Sequence, residues 1–488
     1  MQSLSWPLLW NELFYQSDNP LVFNSAFFFY AFTLFFFIYA WLYQKITLRI
    51  ILVSFFSLYF FYKACGQYVV FILLAAVVDY QLSHWIHRWQ VQWKRKALLI
   101  ASILLNLGLL VYFKYTDFFI EIWNDWKGDS LQYLHLILPV GISFYTFENL
   151  SYTLDVYRRH FKPVDRFIDY LFFLSYFPKL MMGPIVRAAD FIPQIRQKIT
   201  LTQEDVAFGL FYVFTGCFKK MVISDLIYTN IVEVVFDDPT RYNGLYALTA
   251  VYGYAMVIYC DFSGYSDMAI GIARWMGFKI EVNFLAPYQS ASITEFWRRW
   301  HISLSSWLRD YLYIPLGGNR KGIVRTYMHL FITMLLGGLW HGANWTFVIW
   351  GALHGIALAA DKWRLSLKTT FFTLPKWASI LLTFHFVVFC WVFFGPDSFE
   401  KSYIVLHQIF FNMDLTYATE FVAHYQWLLV LILLAMLLHW LPLRWNDIIV
   451  QKMAQQKAWV LWLYVVTMLI AIAWGKADVP VTPIYLQF

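Results

Sequence analysis

The sequence predicts an all-α, polytopic membrane protein, and three features carry that prediction. Hydrophobic residues make up 60% of the chain and charged residues 14%, against about 25% charged in a soluble domain. Apolar runs near or above the length needed to cross a bilayer recur from one end of the sequence to the other. The basic residues gather in short clusters between those runs, as the loops of a membrane protein do. Soluble globular classes are thereby excluded.

In chain order the runs fall at about 21 to 43, 48 to 62, 67 to 82, 97 to 113, 131 to 150, 206 to 223, 245 to 272, 327 to 360, 377 to 395, 427 to 441 and 458 to 474. They imply about 11 transmembrane helices. Several are short or interrupted by Gly and Pro, which implies re-entrant helices, because backbone groups freed at membrane depth must be covered by protein or a cavity. From Phe284 to Val324 the chain turns polar and ends in Arg320, Lys321 and Arg325, reading as a cytoplasmic-side interfacial or re-entrant segment. Lys45 and Arg49, then Arg88 to Lys96, then Arg158 to Arg166 occupy alternate loops, and the loop with Asp117, Glu121, Asp125 and Asp129 is acidic. The positive-inside rule then puts the basic loops in the cytoplasm and the N-terminus outside. With no repeat, low-complexity tract or soluble linker, residues 1–488 read as a single membrane domain. Met1 to Pro20 lack the basic start of a cleavable signal peptide.

A formal charge of +7 invites a nucleic-acid reading, but basic clusters flanking apolar runs are accounted for by orientation in the bilayer, and no nucleic-acid partner is expected. Cys65, Cys217, Cys260 and Cys390 are scattered and read as buried thiols. Aromatic residues, at 22%, suit interfacial belts or a densely packed interior and identify no activity.

Three constellations carry chemistry. Gly337-Gly338-Leu339-Trp340-His341-Gly342-Ala343-Asn344-Trp345 sets an imidazole in an apolar stretch, among small residues that let a ligand or another backbone approach. A structural hydrogen-bonding histidine is the alternative. Glu295 to Asp310, read as one helix, aligns Trp297, His301 and Ser305 on one face with Arg298, Arg299 and Arg309 on others; an interfacial amphipathic helix is the plain alternative. Asp261-Phe262-Ser263-Gly264-Tyr265-Ser266-Asp267 places two carboxylates in an apolar run, to tie helices together or to position a histidine. Neither histidine has a carboxylate or cysteine at ligand spacing, so no metal is expected.

Trp297-Arg298-Arg299-Trp300-His301-Ile302-Ser303, Trp307-Leu308-Arg309-Asp310-Tyr311-Leu312-Tyr313-Ile314-Pro315-Leu316-Gly317-Gly318 and Trp340-His341-Gly342 together resemble the signature of the membrane-bound O-acyltransferase family. The resemblance is narrower still to the bacterial polysaccharide-acylating branch, which includes alginate, peptidoglycan and cellulose O-acetylation proteins and the membrane protein of teichoic acid D-alanylation. Leu138 to Phe147, Gly183 to Arg187 and Asp261 to Asp267 share it, so the motif-bearing core is about 130–360.

The resemblance implies a bundle around a funnel or tunnel, with His341 as the catalytic residue at its constriction and His301 as a second, supporting histidine. It implies acetyl-CoA as the acyl donor, a substrate and not a bound cofactor, and a bacterial inner-membrane location. The implied acceptor is an extracytoplasmic polysaccharide such as alginate or peptidoglycan, reached with the help of an extracytoplasmic, esterase-like partner acyltransferase. The chemistry agrees: acyl transfer to a hydroxyl needs a base near neutrality, which histidine supplies, and an oxyanion donor, for which His301, Asn344 or a backbone amide would serve. Arg298, Arg299 and Arg309 would offer cations to the phosphates of CoA. The tail 476–488 ends in Pro483-Ile484-Tyr485-Leu486-Gln487-Phe488, which resembles the Phe-Ile-Tyr-Phe-x-Phe ending of this branch except at Pro483 and Leu486. It makes Tyr485 a candidate transient acyl carrier, with a frayed aromatic tail as the alternative. Two rival functions remain open from the sequence: a transporter or flippase of an acyl donor or glycolipid, and an acyltransferase of the family's lipid- or protein-modifying branches.

Overall fold

The computed structural model describes residues 12–16, 21–23, 25–367, 374–477 and 481–486, and every regular element among them is helical. Among the described residues, seven stretches are long and apolar enough to cross a membrane: Ile46–Arg88, Gln92–Lys127, Gln203–Asp237, Gly244–Trp275, Ile323–His341, Ala418–His439 and Ala458–Gly475. Phe27–Leu42 and Lys376–Trp391 are apolar but shorter. The first of the seven breaks at Gly66, whose φ of 62° ends one 20-residue helix before a second begins, each about 30 Å long.

One expected span, 131 to 150, is not a single helix. Residues 129–139 have no regular structure and are mostly exposed. Asp117 accepts the Leu134 and His135 amides at 2.8 and 2.9 Å, and Asn124 holds both main-chain groups of Leu131 at 2.9 Å. These side chains replace the intrahelical hydrogen bonds that the apolar composition would otherwise have used.

The chain forms two compact units, Met1–Gly209 with Met268–Glu281 and Leu210–Asp267 with Val282–Phe488. The first contains α1 (Ala26–Leu42), α2 (Ile46–Cys65), α3 (Val69–Arg88), α4 (Gln92–Lys127), α5 (Ile142–Tyr157), α6 (Phe167–Ser175), α7 (Phe177–Leu180) and α8 (Ala188–Ile195). Phe177, fully buried, lies among the rings of Phe23, Phe28, Phe32, Phe35, Phe56 and Phe60 at centroid distances of 5.0 to 6.4 Å. Beside this apolar packing runs a polar network. Asp79 of α3 accepts from Ser102 and Asn106 of α4 at 2.5 and 2.7 Å, Asn149 of α5 donates to Asn106 at 3.1 Å, and Tyr170 of α6 donates to Asn149 at 2.6 Å. Each helix thus satisfies polar groups of the next, which a water-free interior demands. Glu148 of α5 pairs with the equally buried Lys179 and accepts the Val186 amide at 3.1 Å.

The second unit contains the helical stretch Gln203–Asp237 from Leu210 on, α9 (Gly244–Trp275) through Asp267, α10 (Ile293–Arg299), α11 (Ile302–Leu308), α12 (Ile323–His341), α13 (Trp345–Ser366), α14 (Lys376–Trp391), α15 (Phe399–Phe411), α16 (Ala418–His439), α17 (Arg444–Ala454) and α18 (Ala458–Gly475). The apolar run 327 to 360 proves to be the hairpin of α12 and α13. Its seam is glycine: a Cβ on Gly338 would lie 2.3 Å from the Phe347 carbonyl oxygen, and one on Gly351 would lie 2.5 Å from that of Met334. Small residues let two backbones touch where lipid offers no hydrophobic drive to hold helices together.

Gly338→Ala or Gly351→Ala should therefore lower stability by about 1–3 kcal/mol through overpacking against rigid backbone, read as a drop in the unfolding midpoint in detergent. Gly108→Ala, where a Cβ meets nothing within 4 Å, should be neutral or mildly stabilising.

Candidate active site

His341 is the last residue of α12, where the hairpin turns, and it is buried. Gly342 must follow it, because a Cβ there would strike the Phe347 ring at 2.0 Å. Aromatic side chains enclose the imidazole: Trp340, Trp350 and Phe394 lie at ring-centroid distances of 5.1, 5.0 and 5.2 Å. The turn closes with Asn344, whose side chain accepts the Thr346 amide at 2.9 Å and donates to the Asp397 carbonyl at 2.8 Å. Both polar ends of Asn344 are thus engaged in capping α13 and fastening the turn.

His301 sits at a break that the periodicity did not predict. The continuous helix expected across Glu295 to Asp310 ends at Arg299, and His301 takes a left-handed conformation, φ 43° and ψ 55°, before α11 begins. The main chain of Asn283 and Leu285 fills the break: the Ile302 amide donates to the Asn283 carbonyl at 3.0 Å, and the Leu285 amide to that of Arg299 at 2.9 Å. The Asn283 side-chain oxygen accepts from the Ser303 amide at 3.1 Å, from its hydroxyl at 2.9 Å, and from His301 Nδ1 at 3.4 Å. This leaves His301 Nε2 as an acceptor with no hydrogen-bond partner among the described residues. Burial pushes the pKa of His301 down to about 3, so the ring is neutral at physiological pH.

Tyr485 joins the two histidines. Its ring lies 5.4 Å from His341 and 6.3 Å from His301, centroid to centroid, and packs on Phe262 at 4.3 Å. Its hydroxyl is buried, and burial followed by the nearby Asp261 charge raises its pKa well above the ordinary phenol value. Asp261 accepts the Ile484 amide at 3.0 Å and pairs with Lys220 at 2.6 Å. Asp267 pairs instead with Lys219, also at 2.6 Å. Three residues far apart in sequence, His301, His341 and Tyr485, therefore share one aromatic pocket.

The arginines differ among themselves. Arg299 pairs with Glu295 at 2.7 Å, Arg309 pairs with Asp310 at 2.7 Å, and Arg298 is exposed. Sequence reasoning missed Asn283, whose role depends on a left-handed break that no spacing rule reveals. It missed Lys220 for the same reason that most ion pairs are missed, since its partner Asp261 lies far along the chain. It also missed His354, a fully buried imidazole on α13 that accepts from Trp297 Nε1 at 3.3 Å and backs Trp350 at 4.7 Å.

A family profile described as "MBOAT, membrane-bound O-acyltransferase family" matches residues 9–399. The chain is 38% identical over 378 residues to the "Peptidoglycan O-acetyltransferase" of Helicobacter pylori, covering 72% of this chain and 71% of that protein. It is 44% identical over 316 residues to the "Probable alginate O-acetylase" of Pseudomonas putida, covering 62% of each. A more distant relative, at 31% identity over 55% of this chain and 71% of its own length, is the "Teichoic acid D-alanyltransferase" of Bacillus subtilis.

Two outcomes follow from the His301 geometry. Asn283→Ala, which removes the acceptor for Ser303 and His301, should lower acyl-transfer activity about tenfold or more, the scale of one lost buried hydrogen bond to a positioned group. A pH titration of His301 followed by 15N NMR should show a neutral ring from pH 8 to pH 5; protonation midway through that range would contradict its burial.

Proposed function

The chain belongs to the membrane-bound O-acyltransferase family, and from that premise we propose that it moves acetyl groups from acetyl-CoA to Tyr485 and onward to an extracytoplasmic polysaccharide. The observation that carries the proposal is the meeting of His341, His301 and Tyr485 in one buried pocket. Family membership makes the chain an O-acyltransferase and sets aside the transporter reading. Acetyl is favoured over D-alanyl because relatives named for O-acetylation reach 38 to 46% identity, and those named for D-alanylation 28 to 31%.

In this reading His341 takes the proton from the Tyr485 hydroxyl as the phenolic oxygen adds to the thioester carbonyl. The carbon–sulfur bond then breaks, the new carbon–oxygen bond remains, and the proton passes from His341 to the departing CoA thiolate. A tyrosine needs that base, because burial opposes free ionisation of its phenol. His301, with the Nδ1 proton directed to Asn283, presents Nε2 as an acceptor and so suits holding a hydroxyl in place better than donating to an oxyanion. The oxyanion would then fall to a backbone amide. The charges of Arg299 and Arg309 are shared with carboxylates, leaving Arg298 as the side chain best placed to meet the phosphates of CoA.

The acetyl-tyrosine ester is an activated intermediate, since a phenolate leaves more readily than a sugar alkoxide. Transfer to a polysaccharide hydroxyl is therefore favourable, and an extracytoplasmic, esterase-like partner would complete it. The same proposal sets the donor on the cytoplasmic face of a bacterial inner membrane and the acceptor beyond it, connected by a passage through the helices.

Purified protein incubated with labelled acetyl-CoA should release CoA thiol and carry label on the peptide containing Tyr485. His341→Ala should slow thiol release by roughly 10²–10⁴-fold, and Tyr485→Phe should abolish the tail label and the acetylation of polysaccharide in cells. Labelled Tyr485 forming at the wild-type rate in the His341→Ala protein would sink the role of His341. Undiminished polysaccharide acetylation in Tyr485→Phe would sink the carrier.

A further inference from the structure

Lys220, Asp225 and Asp261 form a buried ionic cluster that the acyl-transfer chemistry does not use. The Lys220 ammonium lies 2.8 Å from Asp225 and 2.6 Å from Asp261, and the three side chains are at most 3% exposed. Local backbone geometry makes the cluster possible. Residues five apart point about 140° away from each other on a regular α-helix, but Phe218–Ser224 is a π-helical turn in which the Asp225 amide bonds the Lys220 carbonyl. The wider turn brings Lys220 and Asp225 onto one face.

Two carboxylates against one ammonium leave an excess of one negative charge at a buried site, which is costly unless further donors arrive. The donors come from the main chain of the tail. Ile484 N–H donates to Asp261 at 3.0 Å and Val481 supplies a backbone hydrogen bond to Asp225, while the Ala477 N–H, on the Met221 carbonyl at 3.4 Å, ties the start of the tail to the same helical stretch without touching the carboxylates. The next residue after Asp261, Phe262, provides the ring on which Tyr485 rests. The seat for the tail's backbone and the seat for its tyrosine are thus consecutive residues of α9.

We propose that Lys220, Asp225 and Asp261 are positioning residues forming a dock that grips the tail by the main-chain amides of Val481 and Ile484 and thereby delivers the Tyr485 hydroxyl to His341. The inference rests on the reading of Tyr485 as acyl carrier for its purpose, but not for the dock itself. Lys220 matters through the geometry it imposes on the two carboxylates: it orders them with one oxygen each toward the tail and touches no reacting atom.

The dock is tested without disturbing the buried ions by Ile484→Pro, which deletes one donor N–H, against Ile484→Val, which keeps it. In full-length protein in detergent, Ile484→Pro should speed deuterium exchange of the remaining amides between residues 481 and 486 at least tenfold and cut acetyl-Tyr485 formed from acetyl-CoA by a similar factor; a bond to a charged acceptor is worth about that much. Ile484→Val should match wild type in both. Asp261→Asn, which keeps the shape but removes the charge, should produce an intermediate effect. Exchange in Ile484→Pro equal to wild type would overturn the dock. Faster exchange with acetyl-Tyr485 formed at the wild-type rate would overturn its positioning role and leave the carrier standing. Faster exchange in a protein whose wild-type Tyr485 never carries acetyl would uphold the dock and overturn the carrier.

Discussion

A charge removed from water must find a counter-charge or strong hydrogen-bonding partners within the protein, and this constraint acts in both units of the chain. In the first, Glu148 and Lys179 answer one another and Arg49 gives its guanidinium to the carbonyls of Ile195 and Gln197. In the second, Lys220 bridges two aspartates, and Lys219 takes a third. Removing one partner of such a pair strands the other in a low dielectric, so each tie is effectively obligatory. The helices that carry the site are fixed by these ties as much as by apolar packing, because lipid offers little hydrophobic incentive for helices to associate.

Aromatic packing does a different job around His341. Trp340, Trp350 and Phe394 surround the imidazole, and His354 with Trp297 supports Trp350 from behind. These rings seal the space, and the donors they bring to it are the indole N–H groups of Trp340 and Trp350. Burial strengthens electrostatic interactions among the polar atoms present, and under the proposed acyl transfer it would shield a thioester or an acetyl-tyrosine from hydrolysis.

Much of the site was legible in the sequence because its parts are expensive. A histidine in an apolar run stands out, and so does a motif set spanning Trp297 to Gly318. The fold class followed from composition for the same reason. The rest depended on tertiary geometry. Residues 131 to 139 are apolar enough to read as membrane, yet Asp117 and Asn124 hold them out of a helix. The helical pattern over Glu295 to Asp310 conceals the left-handed turn at His301, since one residue's φ leaves no trace in a periodicity. The sequence offers Asp261 as a tie between helices or as a residue that positions a histidine; in the structure it ties Lys220 and the tail.

The glycine seam between α12 and α13 has a mechanical meaning. With backbone atoms already in contact at Gly338 and Gly351, the main chain that carries His341 is braced between two helices that have no room to close further. The tail bearing Tyr485 is fastened by main-chain hydrogen bonds to carboxylates that hold a counter-ion of their own in Lys220. The unit therefore pairs a stator, an anvil of packed backbone that fixes where His341 sits, with a tail held by few bonds, and under the proposed acyl transfer that tail is the arm of a shuttle.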